Sequence, residues 1–74
     1  MKYYAIKRKK DGKFVSGSDF RYSPPHCLFA NEYVPPLLIA AYRLDFEIRR
    51  RGINLKNYKV VKVVCVEVIE IDGD

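Results

Sequence analysis

The distribution of apolar and β-branched residues predicts three short strands and one long strand. Residues 3–8 form an opening strand that is aromatic and aliphatic first and then basic. Residues 14–16 return from it, and residues 27–30 are a short apolar segment flanked by turn residues. Residues 59–71 are rich in valine and isoleucine, which favour strands. The middle of this strand is apolar on both faces, which indicates a central strand, a bulge, or a face that contacts another molecule.

Turn chemistry joins the first two strands. Lys10-Asp11-Gly12-Lys13 lies between them, and Asp-Gly suits a type I′ turn, in which both central residues have positive φ. Lys10 would then face Lys13 across the hairpin tip. Like charges in that position destabilise a strand pair, so we expect solvent or a ligand to neutralise them.

One helix is predicted between the third strand and the last. Pro35-Pro36 suits a first helical turn, where the missing proline N–H would have no partner in any case. Gly52 is typical of the position just after a helix, and three arginines before it suit the negative end of the helix dipole. We therefore expect a helix from Pro35 or Pro36 to Gly52.

The element order β-β-β-α-β predicts an α+β fold in one domain, residues 1–74. A chain of 74 residues has room for one domain and no more. The simplest arrangement is a mostly antiparallel four-stranded sheet with the helix packed on one face.

The predicted helix carries two apolar stripes. One is spaced to face the core: Leu37, Ala41, Leu44 and Ile48. On nearly the opposite side lie Ile39, Tyr42 and Phe46. Residues 18–34 could cover this second stripe. Alternatively it is exposed and forms an interface with a protein partner or with a second copy in a homodimer.

Charge is the other lead to function. The net charge is +5; the chain begins strongly basic and ends acidic over residues 67–74. The two ends could be cross-strand neighbours, or the basic end could serve an anionic partner. The candidate nucleic-acid-binding residues, which have aromatic residues nearby in sequence, are Lys7, Arg8, Lys9, Lys10, Lys13, Arg49, Arg50 and Arg51.

Groupings typical of catalysis are missing from the sequence. His26 and Cys27 are adjacent in an extended segment, so their side chains point to opposite faces and make a poor catalytic pair. One histidine and two cysteines match no zinc spacing, and the scattered glycines form no phosphate-binding loop. We therefore expect no enzyme activity, no cofactor, no metal and no small-molecule substrate. The longest apolar stretch, residues 34–42, is too short to span a bilayer, which favours a cytoplasmic protein.

Several segments together carry a family resemblance. They are Lys10-Asp11-Gly12-Lys13-Phe14-Val15-Ser16-Gly17, Leu28-Phe29-Ala30-Asn31, Arg50-Arg51-Gly52-Ile53-Asn54-Leu55 and Tyr58-Lys59-Val60-Val61-Lys62-Val63. In this layout the chain resembles small uncharacterised proteins encoded by phages and prophages of Gram-positive bacteria. The resemblance implies an accessory protein that binds and blocks a host protein or nucleic acid in the bacterial cytoplasm. It implies no functional residues.

Two functions are thus expected from the sequence. The first is a non-enzymatic binding protein that contacts a protein partner, or itself, through Ile39, Tyr42 and Phe46. The alternative is a nucleic-acid-binding module that uses the basic hairpin and the arginine-rich helix end.

Overall fold

The computed structural model describes residues 2–64, in which antiparallel strands and one α-helix form an α+β fold. The strands are β1 (Tyr3–Arg8), β2 (Val15–Asp19), β3 (His26–Phe29), β4 (Ile39–Ala40) and β5 (Tyr58–Val63). A 3-10 turn (Ala41–Arg43) leads directly into helix α1 (Leu44–Arg50). The helix contacts β4, so the predicted fold class is confirmed.

The strands form two sheets rather than the single four-stranded sheet expected. β1 lies between β4 and β5 in one sheet, and β2 pairs with β3 in the other. One edge of β1 is already occupied where β4 pairs with Tyr3 and Tyr4. Farther along β1, a single bridge joins Lys7 to Phe14. β2 therefore separates from β1 after this bridge and pairs with β3, with a bulge between Val15 and Gly17.

The hydrophobic core collects side chains from both sheets and from the segment after the helix. Ile6, Val15, Ile39 and Ile53 are buried in one cluster. Half-buried side chains pack around it: Cys27, Phe29, Leu37, Leu44, Ile48 and Tyr58. Burying an aliphatic side chain of this size contributes about 1.5–3 kcal/mol, so these few residues supply much of the stability of a small domain.

The first turn is not the type I′ turn expected. Gly12 has a φ of 72°, whereas Asp11 does not have positive φ. The turn is longer: the Arg8 N–H donates to the Lys13 carbonyl oxygen (2.8 Å), and the Gly12 N–H donates to the Arg8 carbonyl oxygen (2.8 Å). Lys13 therefore lies opposite Arg8 rather than Lys10.

The predicted start of the helix is wrong. After Pro36 the chain is extended, because the Leu37 N–H donates to the Val15 carbonyl oxygen (2.9 Å) and Ile39 pairs with Tyr4. The α-helix begins only at Leu44. Tertiary pairing thus overrides the local signal of the two prolines.

The predicted end of the helix is confirmed. Gly52 has a φ of 60°, and its N–H donates to the Arg49 carbonyl oxygen (3.1 Å). The Ile53 N–H donates to the Ile48 carbonyl oxygen (3.0 Å), which completes a Schellman motif. This turn directs Ile53 into the core.

The other predicted elements compare as follows. The third strand is confirmed as β3, and the long last strand is confirmed over the length of β5. Its continuation to residue 71, and the pairing expected for the acidic residues 67–74, lie outside the described residues. The helices found between residues 2 and 64 are all too short or too polar to cross a membrane.

Candidate nucleic-acid interface

The basic turn after β1 is held in place by Asp11. The Arg8 guanidinium donates two hydrogen bonds to the Asp11 carboxylate, and Asp11 Oδ1 also accepts the Lys13 N–H (3.2 Å). The hydrogen bond from Arg8, with that from Lys13, lowers the pKa of Asp11 to about 2, against the opposing effect of burial. Asp11 therefore stays ionised, and Arg8 stays anchored, at neutral pH.

The turn before β5 lies against this basic turn. The Asn54 carbonyl oxygen accepts the Asn57 N–H (3.0 Å), and Asn54 Oδ1 accepts the Lys56 N–H (2.9 Å). Lys9 then joins the two turns twice. Its N–H donates to the Asn57 carbonyl oxygen (2.8 Å), and its Nζ donates to the Leu55 carbonyl oxygen (3.1 Å).

Two neighbouring concavities lie at this junction, and together we call them the basic groove. The first has a volume of about 570 Å³ and is lined by Arg8, Lys9, Lys10, Lys56, Asn57 and Tyr58. The second has a volume of about 390 Å³ and is lined by Lys7, Arg8, Lys9, Gly12 and Lys59. Six cationic side chains therefore line the groove, and no carboxylate among the described residues does so.

Two of these cations lie over aromatic rings. The Arg8 guanidinium lies 4.0 Å from the centroid of the Phe29 ring, and Lys7 Nζ lies 5.6 Å from that of Phe14. Such cation–π contacts restrict the charged group without neutralising it. The rings are covered by cations on these faces, so the groove presents positive charge rather than stacking platforms.

Tyr58 also lines the first concavity. Burial raises the pKa of Tyr58, as does the neighbouring Cys27, whereas Arg8 opposes the increase. The phenol therefore keeps its proton at neutral pH and adds no negative charge to the groove.

Like charges face each other across the strands that form the second concavity. In the register of β1 and β5, Lys7 lies directly opposite Lys59. Like charges in this position destabilise a strand pair. An anion bound between the two lysines would remove that repulsion. This pair differs from the Lys10 and Lys13 pair expected at the hairpin tip, and it lies in the sheet.

The arginines of the helix end lie elsewhere and serve a different purpose. Arg51 is only 9% exposed, and its Nε donates to Glu47 Oε1 (3.1 Å) while its Nη1 donates to Ser18 Oγ (3.0 Å). Arg51 is therefore not a surface residue, and its predicted role in nucleic-acid binding is wrong. It attaches α1 to β2.

Glu47 is the centre of this arginine cluster. Arg50 and Arg43 also donate to its carboxylate, at 3.0 and 3.3 Å. Burial alone would raise the pKa of Glu47, but the hydrogen bond from Arg50 and the charge of Arg51 outweigh it and lower the pKa. Arg50 is thus engaged within the fold. Arg49 is exposed but does not line the groove.

The predicted protein interface does not form as a single surface. Ile39 is 3% exposed and belongs to the core, because it lies in β4 and not on the helix. Ile39 is therefore wrong as an interface residue. Tyr42 and Phe46 are 82% and 57% exposed, so their role in a protein contact stays a prediction. In the expected core stripe, Leu44 and Ile48 pack on the core, but Ala41 is exposed.

His26 and Cys27 lie in different surroundings. The His26 ring stacks on Tyr22 with 3.8 Å between centroids, whereas Cys27 packs against the core. Among residues 2–64, no group of three or more histidine, cysteine or acidic side chains could hold a metal ion.

No protein-family model, curated protein or solved structure matches this chain. The case for a function therefore depends on the geometry of the groove.

Apart from Gly12, four residues that line the groove were not among the predicted nucleic-acid-binding residues: Lys56, Asn57, Tyr58 and Lys59. They come from the far end of the chain and join the basic turn only through the pairing of β1 with β5. An alignment of the two strands in antiparallel register would have placed Lys59 opposite Lys7. Lys13, which was predicted, lies in the turn but lines neither concavity.

Replacing Lys59 with glutamate should stabilise the fold while it weakens anion binding. The change converts a repulsive cross-strand pair with Lys7 into an attractive one, which is worth about 0.2–1 kcal/mol. Urea unfolding measures the free energy of unfolding. Lys62→Glu is the matched control, because Lys62 lies on the same strand opposite Tyr4 and outside the groove. A Lys59→Glu protein less stable than the wild type would show that the lysine pair is not repulsive.

Proposed function

We propose that this protein is a non-enzymatic module that binds nucleic acid through its phosphates, with the basic groove as the contact surface. The observation that carries the proposal is the lining of the groove: six cations from two turns and two strands, with no carboxylate from residues 2–64 in the lining. Lysine and arginine side chains that contact phosphates release condensed counterions from nucleic acid, and this release drives binding that is independent of sequence.

The arrangement of donors supports phosphate as the group recognised. Arg8 and Lys9 are fixed by hydrogen bonds, whereas Lys10 and Lys56 are exposed and can adapt to a ligand. Tyr58, a neutral residue, lines the same concavity. A nucleic-acid partner implies a cytoplasmic location, and the resemblance to phage proteins would make that the cytoplasm of a bacterial host.

Titration with random-sequence nucleic acid over a salt series tests this function. Single strands should bind at low salt with a steep log–log dependence on salt, of slope about −0.7 for each phosphate contact. The double variant Lys10→Ala/Lys56→Ala should bind more weakly, and its slope should be shallower by about 1.4, twice that value.

The matched control is Arg49→Ala/Lys62→Ala, which removes the same charge outside the groove. It should keep a slope close to that of the wild type. The proposal is wrong if nucleic acid fails to bind at low salt. It is also wrong if the control variant loses as much affinity and slope as the groove variant.

Self-association through Tyr42 and Phe46 is a second candidate function. Both rings are exposed, Tyr42 in the 3-10 turn and Phe46 in α1, and the Arg43 guanidinium lies 5.3 Å from the centroid of Phe46. Large exposed rings of this kind are common at protein contacts. A host protein in place of the second copy is the broader form of this candidate.

Phe46→Arg distinguishes this candidate from a solvated surface. Because Phe46 is exposed, the variant should remain folded by circular dichroism and should dissociate any dimer that the wild-type protein forms in analytical ultracentrifugation. Phe46→Leu, which keeps an apolar side chain, is the control. A wild-type protein that sediments as a monomer at every concentration would rule out the homodimer.

A further inference from the structure

The basic groove consists of two concavities that share one wall, so it constrains a ligand more than a flat charged patch would. Arg8 and Lys9 line both concavities. Lys10 and Lys56 belong only to the first, and Lys59 belongs only to the second. Each concavity therefore has cations of its own in addition to the shared pair, and each can hold an anion.

The shared wall is fixed in position. Asp11 and the Phe29 ring hold the guanidinium of Arg8, and the Leu55 carbonyl oxygen holds Lys9 Nζ. Two anions bound on either side of this wall would be held at a set separation. A ligand with two covalently linked phosphates gains from this arrangement, because its second phosphate binds as an intramolecular event.

The register of β1 and β5 favours an anion in the second concavity. Lys7 and Lys59 face each other across the strands and both line it. This contact is unfavourable in the absence of a negative charge. The first concavity is lined by two neutral polar residues, Asn57 and Tyr58, in addition to its cations. The two concavities thus differ in lining but agree in the charge that they favour.

We infer that the basic groove binds two successive phosphates of one nucleic-acid strand, one on each side of the wall formed by Arg8 and Lys9. The inference rests on the proposed function and adds the class of nucleic acid, which is single-stranded. Duplex DNA is commonly read by convex elements, a helix or a two-stranded ribbon, that enter its major groove. Here the cations line a concave surface, as in grooves that follow a single backbone. The Phe14 and Phe29 faces under Lys7 and Arg8 are occupied by these cations, so the groove acts on the backbone of the strand through charge.

Oligothymidylates that carry one, two, three or four phosphates test the inference by calorimetry at low salt. Affinity should rise about tenfold or more from one phosphate to two, because the second site is then filled intramolecularly. Each further phosphate should increase the affinity by a smaller factor. Lys56→Ala, in the first concavity, and Lys59→Ala, in the second, should each abolish most of the increase at two phosphates. Lys62→Ala, outside the groove, should retain it.

Two further ligands identify the source of the phosphates. Inorganic tripolyphosphate should bind more weakly than the thymidylate with two phosphates, and a duplex should bind more weakly than a single strand with the same number of phosphates. A smooth rise in affinity with length, or a rise that survives Lys59→Ala, would overturn the two-phosphate site. Tripolyphosphate or duplex as the tighter ligand would overturn the assignment to a single strand. Absence of binding to any long nucleic acid would instead refute the proposed function itself.

Discussion

The antiparallel pairing of β1 with β5 is the contact on which the rest of this structure depends. Its register runs from Tyr3 opposite Val63 to Arg8 opposite Tyr58. The pairing buries the middle of β1 and brings the turn after β1 against the turn before β5, where Lys9 joins them. A slip of one residue would invert the faces of the strand and separate the side chains that build the basic groove. Core and groove are therefore two consequences of one register.

The two clusters of cations in this chain are used in opposite ways. The arginines around Glu47 are hydrogen bonded within the fold, and Arg51 extends that network to Ser18 of β2. The planar guanidinium, with several donors, suits this structural task. No carboxylate in the described part of the chain lines the groove with its lysines, and Lys7 faces Lys59 at some cost to stability. The groove thus combines one arginine anchored by Asp11 with lysines that form no ion pair with a described carboxylate.

Local chemistry explains which features could be predicted from the sequence. Gly52 ends the helix through φ and hydrogen bonds within a few residues, and a run of β-branched residues is enough to identify β5. The predicted start of the helix was wrong because Leu37 and Ile39 pair with residues of distant strands. No local sequence pattern reveals such pairing. The same limit applies to function. Charge alone indicated Lys9 and Arg51 equally, and only burial separates a groove lysine from a structural arginine.

The most direct test of the groove is to map which lysines a bound nucleic-acid strand protects from chemical modification. The protein would be acylated briefly at its lysine amines, with and without a saturating oligothymidylate, and the modified residues quantified by mass spectrometry. An oligothymidylate bound in the groove should protect Lys10, Lys56 and Lys59 from acylation. It should leave Lys62, outside the groove, as reactive as before. Equal protection of Lys62, or no protection of the groove lysines by a strand that binds, would contradict a nucleic-acid site in the groove.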